Sequence, residues 1–246
     1  MDPAARFESQ GYLVIDRLFD PGLIDAVREE YGRQFADLSE DTLPPHLNVG
    51  DRRVQLPIML QGPLLDPMLT AHPLLMRILE SLLGRDFLID NTTVVVALPG
   101  AREQSLHRDH HELFPGAAES GENLGAYAIT VSIPLVDLTP ETGSTKLFPG
   151  SHRTKADRDG EPEALGDAEN PYVAKGGCYL MDYRLWHHGT ANRSPDPRPI
   201  LYLVYTRPWF TDMLNFAGMP RLQLASDDLA AMPTGQQRLF RRLAEG

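Results

Sequence analysis

A single cysteine, Cys178, occurs in the 246 residues, and it sits in an apolar run. One thiol excludes an intrachain disulfide and any Cys-x-x-Cys metal or redox site, and it fits a reducing, cytoplasmic compartment. Positive charge is also scarce. The 23 Lys and Arg face 34 Asp and Glu, for a formal net charge of -11. A field of that sign repels phosphate backbones and anionic lipid headgroups, so neither nucleic acid nor a membrane is expected as a partner. No apolar run reaches the length of a membrane span, and "MDPAARFESQGYLVID" shows no basic start followed by an apolar stretch, so no signal peptide is expected. A Gly-rich phosphate loop, a Ser-His-Asp arrangement and an internal repeat are also missing. With 42% hydrophobic and 23% charged residues, the chain has the composition of an ordinary globular protein with a full core.

The stretch "FDPGLIDAVREEYGRQFADLS" predicts a helix. Asp20 is its N-cap and Pro21 its first residue, and Leu23, Ile24, Val27, Tyr31 and Phe35 form one apolar stripe. A second helix is expected over "HPLLMRILESLLG", entered at Pro73 and stopped by Gly84. Residues 40–66, rich in Pro and Gly, read as irregular. From residue 86 the pattern turns to short β-branched or aromatic runs: "FLIDNTTVVVAL", "AYAITVSIPLV", "STKLFPG", "GGCYLMDYRLWH" and "PILYLVYTRPWF". Strands without intervening helices predict a sandwich or barrel. Tyr127, Ile129, Val131 and Ile133 alternate with Ala128, Thr130 and Ser132. That is a strand with one apolar face and one small, polar face, as where a sheet packs on helices and lines a pocket. The acidic, aperiodic residues 153–175 read as a surface loop, a lid or a partly disordered segment. The organisation expected is one domain over 1–246: a helical brace at 1–85, a β core at 86–210 and a C-terminal extension at 211–246.

Chemistry concentrates in "REQSLHRDHHELF". In an extended segment, residues two apart project to the same side, so His107 and Asp109 can reach one ion. The third ligand must come from elsewhere, and "CYLMDYRLWHHGTANRSPDPR" offers it. In a regular strand Tyr179, Met181, Tyr183, Leu185 and His187 share one face, which turns His187 inward and His188 outward. Two histidines and one carboxylate suit a non-haem Fe(II) centre with open positions, and suit Zn²⁺ as well. Arg198, eleven residues past His187, favours iron, because a guanidinium can grip the far carboxylate of a 2-oxoglutarate cosubstrate.

These segments resemble the phytanoyl-CoA dioxygenase family of Fe(II)/2-oxoglutarate oxygenases nearly end to end. "FESQGYLVIDRLFDPGLIDAVREEY" is similar to its N-terminal strand and helix, and "PGAREQSLHRDHH" to its first metal motif. "ETGSTKLFPGSH" is similar to its mid-barrel turn, and "DYRLWHHGTANRSPDPR" to its distal motif. The form "PG..EQ.LHRD" lies nearest the branch of fungal and bacterial natural-product oxygenases. The resemblance implies a double-stranded β-helix, or jelly-roll, that is mainly β. It implies His107, Asp109 and His187 as iron ligands and Arg198 on the distal carboxylate. Asn192, five residues after His187, keeps the family register; counted from His188 the register fails. Gln104 and Thr145 match positions that contact the cosubstrate, and Asn91 reads either as a cosubstrate contact or as an edge or turn residue. The cofactors expected are Fe(II), 2-oxoglutarate and O₂, the partner a small-molecule substrate, and the assembly a monomer or homodimer. The activity implied is oxidation of that substrate, foremost hydroxylation, with release of succinate and CO₂. Halogenases of this type replace the carboxylate ligand with a small residue, and Asp109 argues against that outcome. The alternatives are a non-catalytic small-molecule-binding barrel and a zinc-dependent cupin-like hydrolase or isomerase.

Among the remaining candidates, His110 and His111 read equally as pocket lining and as solvated turn. His152 reads as a turn residue, and Trp209 and Phe210 read as bounding the substrate cavity or, foremost, as core packing at the barrel end.

Overall fold

The computed structural model describes residues 2–37, 45–110, 113, 125–154, 164–216 and 218–244. Asp20 opens the long N-terminal helix as its sequence requires, its carboxylate accepting from the Gly22 and Leu23 amides. That helix, α2 (Pro21–Gln34), follows a short α1 (Pro3–Gln10) and the strand β1 (Tyr12–Ile15). α1 is not among the helices expected above; Pro3 at its start and Gly11 at φ 78 past its end mark its limits.

Residues 40–66 need correction, because most of their described part is not irregular. They carry β2 (Asn48–Gly50), β3 (Arg53–Pro57) and β4 (Met59–Leu60). β3 pairs antiparallel with β5 (Leu88–Ala97) in the main sheet. Its cavity face carries Arg53 and Gln55, two polar residues that in a bare sequence look like solvent-facing turn.

The two helices α3 (Pro67–Thr70) and α4 (Pro73–Leu83) precede β5; Gly84 at φ 83 ends α4. All five expected runs form strands: β5, β6 (Ala128–Pro134), β7 (Thr145–Leu147), β8 (Cys178–Asp182) with β9 (His187–Gly189), and β10 (Arg198–Thr206). The chain closes with β11 (Gln223–Leu224), α5 (Ser226–Ala231), α6 (Thr234–Gln237) and α7 (Arg241–Ala244).

Seven strands form one antiparallel sheet in the order β1-β8-β6-β10-β5-β3-β2. A second, two-stranded sheet pairs β7 with β9, and the two together form the jelly-roll. The alternation in β6 divides labour as read. Ile129, Val131 and Ile133 enter the main core with Ile24 and Val27 of α2 and Leu75, Leu79 and Leu82 of α4. Thr130 and Ser132 turn to the opposite, cavity face. Each fully buried aliphatic on the core face contributes about 1.5–3 kcal/mol of transfer free energy.

Of the segment 153–175, residues 155–163 lie outside the described residues. Its following stretch is anchored rather than lid-like. Glu169 exchanges both backbone hydrogen bonds with Leu147 and accepts from the Tyr12 hydroxyl at 2.5 Å, and Val173 accepts from the Leu138 amide. Among the described residues no helix is long and apolar enough to cross a membrane.

Candidate active site

His107 and Asp109 stand on an extended segment that lies over the main sheet. His107 and His187 exchange both backbone hydrogen bonds, at 3.0 and 2.9 Å, so the ladder itself joins residues far apart in sequence. The candidate ligand atoms of His107, Asp109 and His187 all lie within 4.8 Å of one another. His187 Nε2 is 3.5 Å from Asp109 Oδ1. In each histidine Nδ1 donates to a backbone carbonyl, Ser105 at 2.8 Å and Leu185 at 2.9 Å. That fixes the tautomer and leaves Nε2 with a free lone pair toward the shared point. Burial lowers the His187 pKa to about 4, so the ring is neutral, as a metal ligand must be.

His187, not His188, faces the triad as expected, but continuous strand parity is not the cause. The strand is not continuous. Tyr183, Arg184 and Leu185 make a turn, closed by the Leu185 amide on the Asp182 carbonyl, and the chain crosses from the main sheet to the small one. Residue parity is therefore reset between β8 and β9. His187 faces the triad because β9 pairs with the His107 segment on one side and β7 on the other.

The triad borders a cavity of about 530 Å³ whose floor is the polar face of the main sheet. At one end Ala97 of β5 sits between Arg198 of β10 and Arg53 of β3 in a single rung. Both guanidinium-bearing residues are 2% exposed and line the cavity. Arg198 Nη1 donates to the Thr142 and Thr190 carbonyls, and Arg53 Nη2 to those of Arg102 and Thr190. The Nε atom of each arginine has no partner among the described residues. Burial pulls the Arg53 pKa down to about 10, and the adjacent Arg198 pulls in the same direction. Gly189 makes room for this pair: a Cβ there would lie 2.5 Å from Arg53 Nη1 and from Gln104 Oε1. Arg53 escaped the sequence reading. Its signal, an arginine alternating with Val54 and Leu56, was present but unread.

Gln104 lines the cavity but acts first as a clamp: Oε1 accepts from the Gly189 amide at 3.0 Å and Nε2 donates to the Val49 carbonyl at 2.8 Å. Thr145 lines the cavity with its hydroxyl 2.8 Å from that of Tyr179. Asn192 is buried and structural, bonding Ala97, Ser194 and Asp196 in the turn that delivers Arg198. Asn91 lies on the cavity floor six rungs from the arginines, level with Thr130, whose hydroxyl is 3.5 Å from Asp109 Oδ2. His152 bonds the Glu8 carbonyl at 3.1 Å, apart from the triad. His110 packs against Phe210 and Tyr127, and His111 lies outside the described residues. Phe210 is core packing as expected, but Trp209 is 63% exposed, since its neighbour fills the available space under the sheet end.

Two further elements of the site were not anticipated. Asp212 accepts from the Tyr183 hydroxyl and from Asn215, and the Asn215 amide also donates to the Asp109 carbonyl at 2.6 Å. The C-terminal segment thereby fastens onto a candidate metal ligand.

Comparison with known proteins agrees with this architecture. "Dioxygenase af480" of Aspergillus fumigatus is 30% identical over 149 residues, 60% of this chain and 46% of the relative. "Ectoine dioxygenase" of Sphingopyxis alaskensis is 25% identical over 250 residues, 84% of this chain and 80% of that one. The chain spans about half the length of the fungal relatives it matches. Among solved structures, the non-heme alpha ketoglutarate dependent epimerase SnoN from nogalamycin biosynthesis superposes with a TM-score of 0.67 at 21% identity, over 83% of this chain and 79% of its own. SnoN has also been solved in complex with Fe3+, alpha ketoglutarate and nogalamycin RO. Residues 7–200 match the Phytanoyl-CoA dioxygenase (PhyH) family, and the chain belongs to that family.

Proposed function

We propose that this protein is an Fe(II)/2-oxoglutarate-dependent dioxygenase that hydroxylates a small-molecule metabolite, within natural-product biosynthesis, as a single unit over residues 1–246. The observation that carries this reading is the joint content of one cavity: a His-Asp-His triad on its wall and, at its end, two buried arginines with no carboxylate partner among the described residues. Three neutral or anionic donors leave coordination positions open, which suits Fe(II) with a chelating cosubstrate. The Nε atoms of Arg53 and Arg198, without a partner among the described residues, fit a carboxylate, whose charge would offset the cost of burying two like charges side by side.

In this reading His107, Asp109 and His187 hold the iron, and Arg198 with Arg53 holds the distal carboxylate of 2-oxoglutarate. Thr145 flanks that carboxylate, and Gln104 keeps β9 and β2 in register around it. When bound, iron and 2-oxoglutarate supply O₂ activation coupled to oxidative decarboxylation, giving succinate and CO₂ with oxidation of a substrate C–H bond. The chain's own contribution is orientation and exclusion of water: the tautomers are fixed by Ser105 and Leu185, and the cavity floor is buried. Asp109 supports hydroxylation over halogenation. Relatives named as dioxygenases support the same reaction class.

Anaerobic addition of Fe(II) followed by 2-oxoglutarate should produce a visible metal-to-ligand charge-transfer band. His187→Ala should abolish iron retention and 2-oxoglutarate-dependent succinate formation, whereas His188→Ala should retain iron. A zinc hydrolase or a non-catalytic barrel gives no such band, and the reverse histidine result moves the third ligand to His188.

A further inference from the structure

The cavity continues beyond what a cosubstrate held by Arg198 can fill. Along β10 the floor runs from Arg198 through Ile200 and Tyr202 to Val204, and Val204 faces Asn91 of β5 and Thr130 of β6. Six residues of strand separate the two ends, about 20 Å at the rise of an antiparallel strand. A five-carbon diacid spans roughly 5 Å between its terminal carbons at about 1.5 Å per C–C bond. Asn91 thus lies well beyond the distal-carboxylate site, level with Thr130 and the triad carboxylate, where a substrate beside the metal also comes.

Its chemistry is specific. A β-bulge at Asp90, where the ladder steps from Val204↔Asn91 to Tyr205↔Ile89, aims Asn91 into the cavity while Asp90 turns to Arg221 and Arg242. Asn91 is 0% exposed. Its amide nitrogen lies 3.4 Å from the Asp90 carboxylate, an acceptor, which assigns Oδ1 to the cavity side. That Oδ1 has no partner among the described residues. The other polar groups here are engaged: Tyr183 donates to Asp212, and Asn215 donates to Asp212 and the Asp109 carbonyl. Met181, Val204 and Phe216 supply an apolar wall, and both cavity arginines lie at the opposite end.

Resting on the oxygenase reading above, we infer that Asn91 orients the substrate, its Oδ1 accepting a hydrogen bond from a hydroxyl on an otherwise apolar skeleton bound beside the metal. A buried acceptor without a donor costs free energy, so the site discriminates against a ligand whose oxygen is capped. A site built around one hydrogen bond rejects the analogue lacking it more strongly than an apolar pocket rejects an added group.

The test uses full-length protein loaded with Mn(II) and 2-oxoglutarate, probed with cyclohexanol and with its methyl ether. Paramagnetic broadening of the probe's proton signals reports binding next to the metal. Asn91→Thr and Asn91→Val are compared with wild type; they share one shape, suit a strand, and differ by a hydroxyl. In wild type the alcohol should bind at least about tenfold more tightly than the ether. Asn91→Thr should keep part of that preference and Asn91→Val should lose it, with 2-oxoglutarate affinity unchanged in both. Equal binding of alcohol and ether to wild type, binding of neither, a preference that survives in Asn91→Val, or a fall in 2-oxoglutarate affinity in both variants each overturns the assignment. Failure of wild type to take up Mn(II) and 2-oxoglutarate instead overturns the oxygenase reading itself.

Discussion

Two clusters of arginine sit in this protein, and they are treated in opposite ways. At the bulge of β5, Arg221 and Arg242 converge on Asp90, whose side chain is fully buried. Arg242 continues to the Pro208 and Phe210 carbonyls, so the cluster ties the C-terminal segment to the sheet. In the cavity, Arg53 and Arg198 stand in one rung, hydrogen-bonded to backbone carbonyls, and the Nε of each has no partner among the described residues. The first cluster shares a carboxylate inside the chain and contributes to the fold. The second has no carboxylate partner among the described residues, so carbonyl hydrogen bonds offset its desolvation only in part, as expected of groups kept for a ligand under the function proposed above.

The largest effect expected from this contrast is on Asp90. Asp90→Ala strands two guanidiniums and frees the C-terminal segment, costing about 3 kcal/mol, the low end for a broken buried pair because both arginines are about a quarter exposed. Thermal denaturation should show a drop of roughly 6–12 °C. An unchanged midpoint would remove the distinction between the clusters.

Arg198→Met should do the reverse. 2-Oxoglutarate affinity, followed by titration of the charge-transfer band, should fall at least about tenfold, or about 1.4 kcal/mol. The denaturation midpoint should hold or rise, since an unpaired buried charge gives way to a side chain of similar volume. A loss of stability like that of Asp90→Ala would make Arg198 structural.

Arg53→Met tests whether the pair acts together. The expected loss of 2-oxoglutarate affinity is smaller, about three- to tenfold, because Arg198 remains as the gripping cation. Full affinity in Arg53→Met would confine the carboxylate to Arg198 alone.

The smallest effect tests burial by itself. The Cys178 thiol is fully buried and its pKa is pushed up to about 12, the opposite sign to Arg53 because burial disfavours the charged form of either group. A thiol reagent at pH 8 should not react with native protein and should titrate one thiol after denaturation. Rapid native reaction would mean that this face of the sheet opens.

Much of this was legible in the residues themselves. The alternation Ile129, Val131, Ile133 against Thr130 and Ser132 foretold a strand between a helical layer and a polar cavity, because side chains on a strand repeat every two residues. Asp20-Pro21 and Pro73 with Gly84 set the helix limits through local hydrogen bonding and φ preferences alone. His107 and Asp109 were readable as a pair because their spacing is local. β3 was not legible: Arg53 and Gln55 face a buried cavity, so their polarity imitates a surface turn. Asn91 stayed open between a cosubstrate contact and an edge or turn role, since sequence carries no measure of distance along a sheet.

By itself, then, the sequence determined the strand and helix alternation, the identity of the metal-binding residue types and the cation suited to a carboxylate, all of them consequences of short-range geometry and side-chain chemistry. Tertiary structure alone decided which histidine faces Asp109, since the Tyr183–Leu185 turn resets strand parity and only the pairing of β9 with the His107 segment restores it. It also decided that Arg53 and Arg198 meet across Ala97, and that Asn91 lies far from both. Such neighbours are set by sheet register, and register is fixed by long-range pairing rather than by any local run of residues.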